Sequence, residues 1–229
     1  MDESSTDYLE LADWRRRIGS LYAEVRALAA SDPVAALEHW RTTREWLYRA
    51  HPQSPVPRAA RSTFQACHFL HDPALRFEVP VLRDTAPPPR AASSGPIRPS
   101  GAGVMETASS AIPMSTGQPL AFRRVGWLDI PFPAGERRLG LYWIEGYGGG
   151  LFLPFRDATN GTETYAAGRY VLDAVKSADL GGNAATGTLI IDFNFAYHPS
   201  CAFDPRWACP LAPPENRLDL PIRAGERLV

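Results

Sequence analysis

Residues 150–172 read GLFLPFRDATNGTETYAAGRYVL. Two apolar runs, 150–155 and 162–172, flank Asn160-Gly161, the dipeptide that most readily takes the two positive φ angles of a type I′ turn. The spacing predicts a tight hairpin. Working outward, a period of two extends from residue 104 to the end, with turn residues recurring about every eight to twelve positions. Strands are expected at 104–112, 121–130, 138–144, 188–197 and 220–223, with an earlier one at 77–82. Successive strands joined by short turns, with no helices between them, make an antiparallel sheet.

The first fifty residues follow another period. Leu11, Trp14, Ile18, Leu21, Tyr22, Val25 and Leu28 recur at three- and four-residue intervals, which predicts an amphipathic helix over about 6–30. Ser31-Asp32-Pro33 then supplies a stop, an N-cap and a proline suited to the first helical position. A second helix runs to about residue 49, with Leu37, Trp40, Trp46 and Leu47 available for burial, and His51-Pro52 ends it. The fold class expected is a β-rich α+β protein, an antiparallel barrel or two-sheet sandwich covered by an N-terminal helical hairpin. Its organisation is a hairpin at 1–52, a connecting segment with one strand at 53–83, a flexible Pro/Ala/Ser-rich loop at 84–103 and the β-rich domain at 104–229.

Composition narrows the function classes. The chain has 229 residues, 24 basic against 25 acidic, so nothing in its charge suits nucleic acid or an anionic membrane. No apolar run approaches the roughly 20 residues of a membrane span. The acidic start, MDESSTD, is unlike a secretory leader. Three cysteines are too few for a disulfide framework. The expectation is a soluble cytoplasmic protein with no cofactor and no metal, whose partner is a small molecule if it has one. Oligomeric state is left open.

Chemistry concentrates at 192–217, DFNFAYHPSCAFDPRWACPLAPPENR. Alternation along 188–197 puts Ile191, Phe193, Phe195 and Tyr197 on a core face, with Asp192 and Asn194 about 7 Å apart on the opposite surface. His198, Cys201 and Cys209 are spaced too loosely for a zinc knuckle. A Cys–His nucleophile pair is chemically possible, and so is a pair of inert buried thiols. Of these, free and unligated thiols are the expectation. Glu215-Asn216-Arg217 follows a proline pair, and Arg217 could clamp a carboxylate or phosphate or close an internal ion pair. Gly148-Gly149-Gly150 lacks the context of a phosphate-binding loop.

Two ordered blocks, 155–170 and 192–218, resemble a bacterial and archaeal family catalogued as domain of unknown function 1684. The family pattern runs F-x-D-x-T-S-G-x-E-T-Y-G-G-G-R-Y, then D-F-N-x-A-Y-N-P-x-C-A-Y, then C-P-L-P-P-x-E-N-R-L. This chain departs from it at Asn160, Ala166, Ala167 and His198. The resemblance implies a residue set: Asp157, Thr159, Glu163, Tyr165, Arg169, Tyr170, Asp192, Asn194, Cys201, Cys209, Glu215, Asn216 and Arg217. It implies no activity.

Two functions remain. One is a binding protein or enzyme for a small polar or anionic ligand, held in a cleft lined by residues 159–170 and 192–217. Its candidate contacts are Arg169, Tyr170, Asp192, Asn194, Cys201, Glu215, Asn216 and Arg217. The other is a structural or protein-interaction module in which those groups form an internal ion-pair network. Burial of the arginines discriminates them.

Overall fold

The computed structural model describes residues 5–83, 110–112, 114–115 and 120–228. The expected loop at 84–103 and the first part of the 104–112 strand lie outside them. Helix α1 (Ser5–Ala29) and helix α2 (Pro33–Ala50) form the hairpin. The Asp32 side chain caps α2 by accepting from the Ala35 amide at 2.9 Å. Strands β1 (Cys67–His68), β2 (Arg76–Pro80) and β3 (Ser110–Ile112) precede the long pair β4 (Leu120–Phe132) and β5 (Gly135–Ile144). Then come β6 (Gly150–Phe155), β7 (Arg169–Asp173), β8 (Gly182–Asn183), β9 (Thr188–Asp192) and β10 (Glu226–Arg227).

These strands make three antiparallel sheets: β3-β4-β5-β6-β7, β2-β9-β8 and β1-β10. Among the described residues none closes into a barrel. The five-stranded sheet is buried on both faces. One face gives Phe122, Tyr142, Phe152 and Tyr170 to a core shared with Ile18, Leu21, Val25, Leu37, Trp40 and Leu47 of the helices. The other face gives Leu139, Leu141, Leu153, Phe155 and Val171 to a core shared with Val79, Ile191 and the C-terminal residues Leu220 and Ile222. The hairpin is therefore one layer of the fold.

Three expectations are corrected. β6 does pair with β7, but across the long connection 156–168, not across a two-residue turn. Gly161 has φ +84° while Asn160 is not among the residues of positive φ, so a type I′ turn is absent. The Asn160 side chain instead accepts from the Asp157 amide at 2.7 Å and donates to Thr164 Oγ1 at 2.8 Å, folding the connection on itself. Second, the strand expected over 188–197 ends at Asp192. The Asp192 carboxylate accepts the Asn194 amide at 3.0 Å and caps a 3-10 turn, Phe193–Phe195. That turn sends Phe193 into one core and Phe195 and Tyr197 into the other, and both Asp192 and Asn194 are buried. Third, residues 220–223 form no strand: Leu220 and Ile222 are buried in extended chain.

Candidate functional site

Most of the residues singled out in the sequence prove to be stitches between backbone segments. Arg169 on β7 is fully buried. Its Nη2 donates to Asp157 Oδ2 at 2.7 Å and to the Ile222 carbonyl at 2.7 Å, while Nη1 donates to the carbonyls of Glu226, at 3.1 Å, and Ala224. The planar fork thus holds the C-terminal segment against the sheet. Asn194 accepts the Asp72 amide at 2.9 Å and returns a bond to the Asp72 carbonyl at 2.8 Å. Asp192 pairs with Arg76 at 3.4 Å, and burial raises its pKa. Asn216 spans two strands: it accepts the Gly140 amide at 2.7 Å and donates to the Gly140 and Pro154 carbonyls at 2.9 and 2.7 Å.

The remaining candidates are dispersed. Tyr170 donates to the Pro210 carbonyl, and Glu215 accepts from Tyr142 and, at 3.3 Å, from Arg124. Arg217 is exposed. Cys201 is buried beside Cys209, its amide 3.3 Å from the Cys209 sulfur. Among the described residues no hydrogen bond or ion pair joins Arg169 to Asp192, Asn194 or Arg217. Asn216→Ala should cost roughly 1–3 kcal/mol, because the buried Gly140 amide and two carbonyls lose their partner; urea unfolding monitored by tryptophan fluorescence measures it.

A partly open cavity lies elsewhere, between the hairpin and the segment 197–209. A cavity of about 240 Å³ is walled by Leu11, Trp14, Ile18, Tyr22, Arg44 and Tyr48 from the helices and by Ala178, Tyr197, His198, Trp207, Ala208 and Cys209 from the β-rich part. Arg15 and Lys176, both exposed side chains, also border it. Six of the seventeen lining residues thus belong to the 192–217 block, but none of the eight candidate contacts lines the cavity.

Arg44 is the centre of this wall. It is 5% exposed, and its guanidinium carbon lies 4.7, 5.0 and 4.6 Å from the ring centres of Trp40, Tyr48 and Tyr197. Nη2 donates to Glu226 Oε1 at 2.8 Å and to the Tyr48 hydroxyl. Nε has no hydrogen-bond partner. Burial opposes the charge, but Tyr48 and Glu226 outweigh it and hold Arg44 protonated. The Tyr22 hydroxyl accepts from Trp40 Nε1 at 3.1 Å, and burial pushes its pKa up to about 12. For the hydroxyl protons of Tyr22 and Tyr48 no acceptor is found among the described residues. The cavity therefore has a charged, aromatic-clad floor with unspent donors.

Glu226 stands behind that floor. Its second oxygen accepts the His198 amide at 2.7 Å. Burial works against the carboxylate, but Arg44 and the two nearby histidines hold its pKa below the usual range. Gly225 sets this turn: at φ +75°, an added Cβ would lie 2.4 Å from the Ala196 carbonyl oxygen, so only glycine fits. A wider open groove of about 750 Å³ runs along α2, where Arg41 lies 3.8 Å from Glu38 and Arg49 3.8 Å from Glu45.

Arg44 escaped the sequence reading although a signal exists. Leu37, Trp40, Arg44, Leu47 and Tyr48 keep the three-and-four spacing of one buried stripe, with an arginine in its middle. Trp46, expected to be buried, is 50% exposed.

Comparison with known proteins bears on most of the chain. Residues 97–227 match the family described as protein of unknown function, DUF1684. The chain belongs to that family. A solution NMR structure of an uncharacterized protein from Haloarcula marismortui is similar at 26% identity and a TM-score of 0.57, covering 87% of this chain and 96% of that one. No curated protein matches. None of the helices described is long and apolar enough to cross a membrane.

Proposed function

We propose that this DUF1684 chain binds a small organic anion with an apolar body in the cavity between the helical hairpin and residues 197–209. The observation that carries the reading is Arg44, a charged side chain nine-tenths buried on the wall of a cavity, flanked by the Tyr22 and Tyr48 hydroxyls with their protons unspent. A buried donor without a partner costs free energy that a ligand oxygen would recover. Guanidinium nitrogens with the Tyr22 and Tyr48 hydroxyls beside them suit a carboxylate, and Trp14, Ile18, Leu11 and Trp207 suit its apolar part. About 240 Å³ is below the usual range for drug-sized ligands, which limits the occupant to a small acid.

In this reading the cleft expected from residues 159–170 and 192–217 keeps only its second wall. Asp192, Asn194, Asn216 and both terminal nitrogens of Arg169 act as internal connections, since they are bonded to the chain itself. The test is titration of benzoate, hexanoate and phenyl phosphate by isothermal calorimetry and by protein NMR. At least one should bind saturably, and Ala208→Phe, which fills the cavity from an exposed position, should abolish binding without lowering the melting temperature. Failure of all three probes to perturb Trp14, Tyr22 or Trp207 resonances, or equal binding by the filled variant, would refute the reading.

A further inference from the structure

The strongest chemistry outside that cavity floor is the sulfur pair. Cys201 sits in a short 3-10 turn, Ser200–Ala202, directly after Pro199. Its amide points at the Cys209 sulfur, 3.3 Å away. The partner segment is pinned in place: the Cys209 amide donates to Ser115 Oγ at 2.9 Å, Ser115 Oγ donates to the Trp207 carbonyl at 3.0 Å, and the Ser115 amide donates to the Cys209 carbonyl at 2.9 Å. On the opposite side the Tyr165 hydroxyl lies 3.4 Å from the Cys201 carbonyl and 3.8 Å from its sulfur. Both thiols are free, and the third cysteine, Cys67, is on β1. No arrangement of three or more metal-holding side chains exists among the described residues.

We propose that Cys201 and Cys209 are an oxidisable dithiol, in which hydrogen peroxide is reduced by the Cys201 thiolate and Cys209 resolves the resulting sulfenic acid to a disulfide. The surroundings of Cys201 suit the first role. The Cys209 thiol beside it, together with the Tyr165 hydroxyl 3.8 Å from its sulfur, outweighs burial and draws Cys201 toward the thiolate. Cys209 keeps the shared proton.

The chemistry balances without a cofactor. The Cys201 thiolate attacks one peroxide oxygen; the S–O bond forms, the O–O bond breaks, and the departing hydroxide takes a proton to become water. Cys209 sulfur then attacks Cys201 sulfur; the S–S bond forms, the S–O bond breaks, and the hydroxide leaves with the Cys209 proton as a second water. Two thiols are oxidised and one hydroperoxide is reduced. Cys209 forms part of the cavity wall, and Cys201, 8% exposed, is adjacent to it.

The experiment uses the full chain, one equivalent of hydrogen peroxide, and alkylation under denaturing conditions. Untreated protein should take three alkyl groups and oxidised protein one, with peptide mapping placing the bridge at Cys201–Cys209 and dithiothreitol restoring all three. Cys67→Ser should leave the bridge intact. In Cys209→Ser, whose hydroxyl keeps a donor beside Cys201 but cannot form the bridge, dimedone present during peroxide treatment should label Cys201 on the order of tenfold faster than Cys67, the advantage of a larger thiolate fraction after its lower nucleophilicity is counted. Three alkylatable thiols after peroxide, a bridge involving Cys67, or equal dimedone labelling of Cys67 and Cys201 would overturn the assignment. None of these readouts depends on ligand binding in the cavity.

Discussion

Arg169→Ala is expected to lower the melting temperature by roughly 6–20 °C, whereas Arg217→Ala leaves it nearly unchanged. Both arginines belong to the sequence pattern of the family, so the contrast rests on their surroundings. Removing Arg169 strands the Asp157 carboxylate, itself buried, and takes the donor from three backbone carbonyls. Breaking a buried pair in this way costs about 3–5 kcal/mol, and a domain of this size shifts by about 2–4 °C per kcal/mol. Arg169→Lys should recover only part of the loss, since one ammonium cannot reach the positions served by a planar fork. Arg217 is exposed, and surface substitutions stay within about 0.5 kcal/mol. Circular dichroism melts of the three variants decide the matter. An Arg169→Ala protein melting within about two degrees of the parent, well short of the expected drop, would show that the Asp157 network does not hold the C-terminal segment.

The elements with a long, regular period were legible. Asp32-Pro33 marked the start of α2 because capping and proline geometry are local chemistry, and β4 and β5 were found within a few residues because their alternation is long. Where a side chain folds its own backbone, the period misleads. Asn160-Gly161 looks like a hairpin turn, yet the Asn160 amide group binds Asp157 and Thr164 and makes a broader loop. Asp192 breaks its strand by capping the turn that follows.

Of the proposed cavity the sequence marked one segment, but none of the eight candidate contacts lines it. The 192–217 block was marked as folded against something, and Trp207 and Cys209 do line the cavity wall. Its opposite wall comes from helices about 150 residues earlier in the chain, and no spacing rule reports that distance. Polar residues in an ordered motif signal a constraint, but they do not say whether the partner is a ligand or the backbone. Asn194 and Asn216 show the second case: each completes a backbone hydrogen-bond pattern that an interrupted strand leaves open.

Stability should also fall steeply as pH drops from about 6.5 toward about 4, through two histidines buried near Glu226. Burial lowers both His198 and His68 from 6.5 to about 4, against the opposing pull of Glu226 and with Arg44 nearby acting in the same direction as burial. Geometry supports the neutral form of His198, because its Nε2 accepts the Tyr165 amide at 3.2 Å and a protonated ring nitrogen could not. In the unfolded chain each histidine takes a proton near its ordinary pKa, while in the fold it resists until about 4. Between those values the unfolded state binds more protons, so stability is complete above about pH 6.5 and is lost as pH falls through the window. The combined loss is on the order of a few kcal/mol, since a tenfold weaker hold on a proton corresponds to about 1.4 kcal/mol and partial exposure of His68 trims its share. Protonation of Glu226, whose pKa is held low, would extend the decline at still lower pH by stranding Arg44. Melting temperatures from about pH 8 down to about 4.5 test this, with His198→Asn as the comparison. That variant should show about half of the parent's acid-induced drop. A parent profile flat between about pH 7 and 5, or an equal drop in His198→Asn, would mean that these imidazoles are already protonated in the fold or play no part in its acid sensitivity.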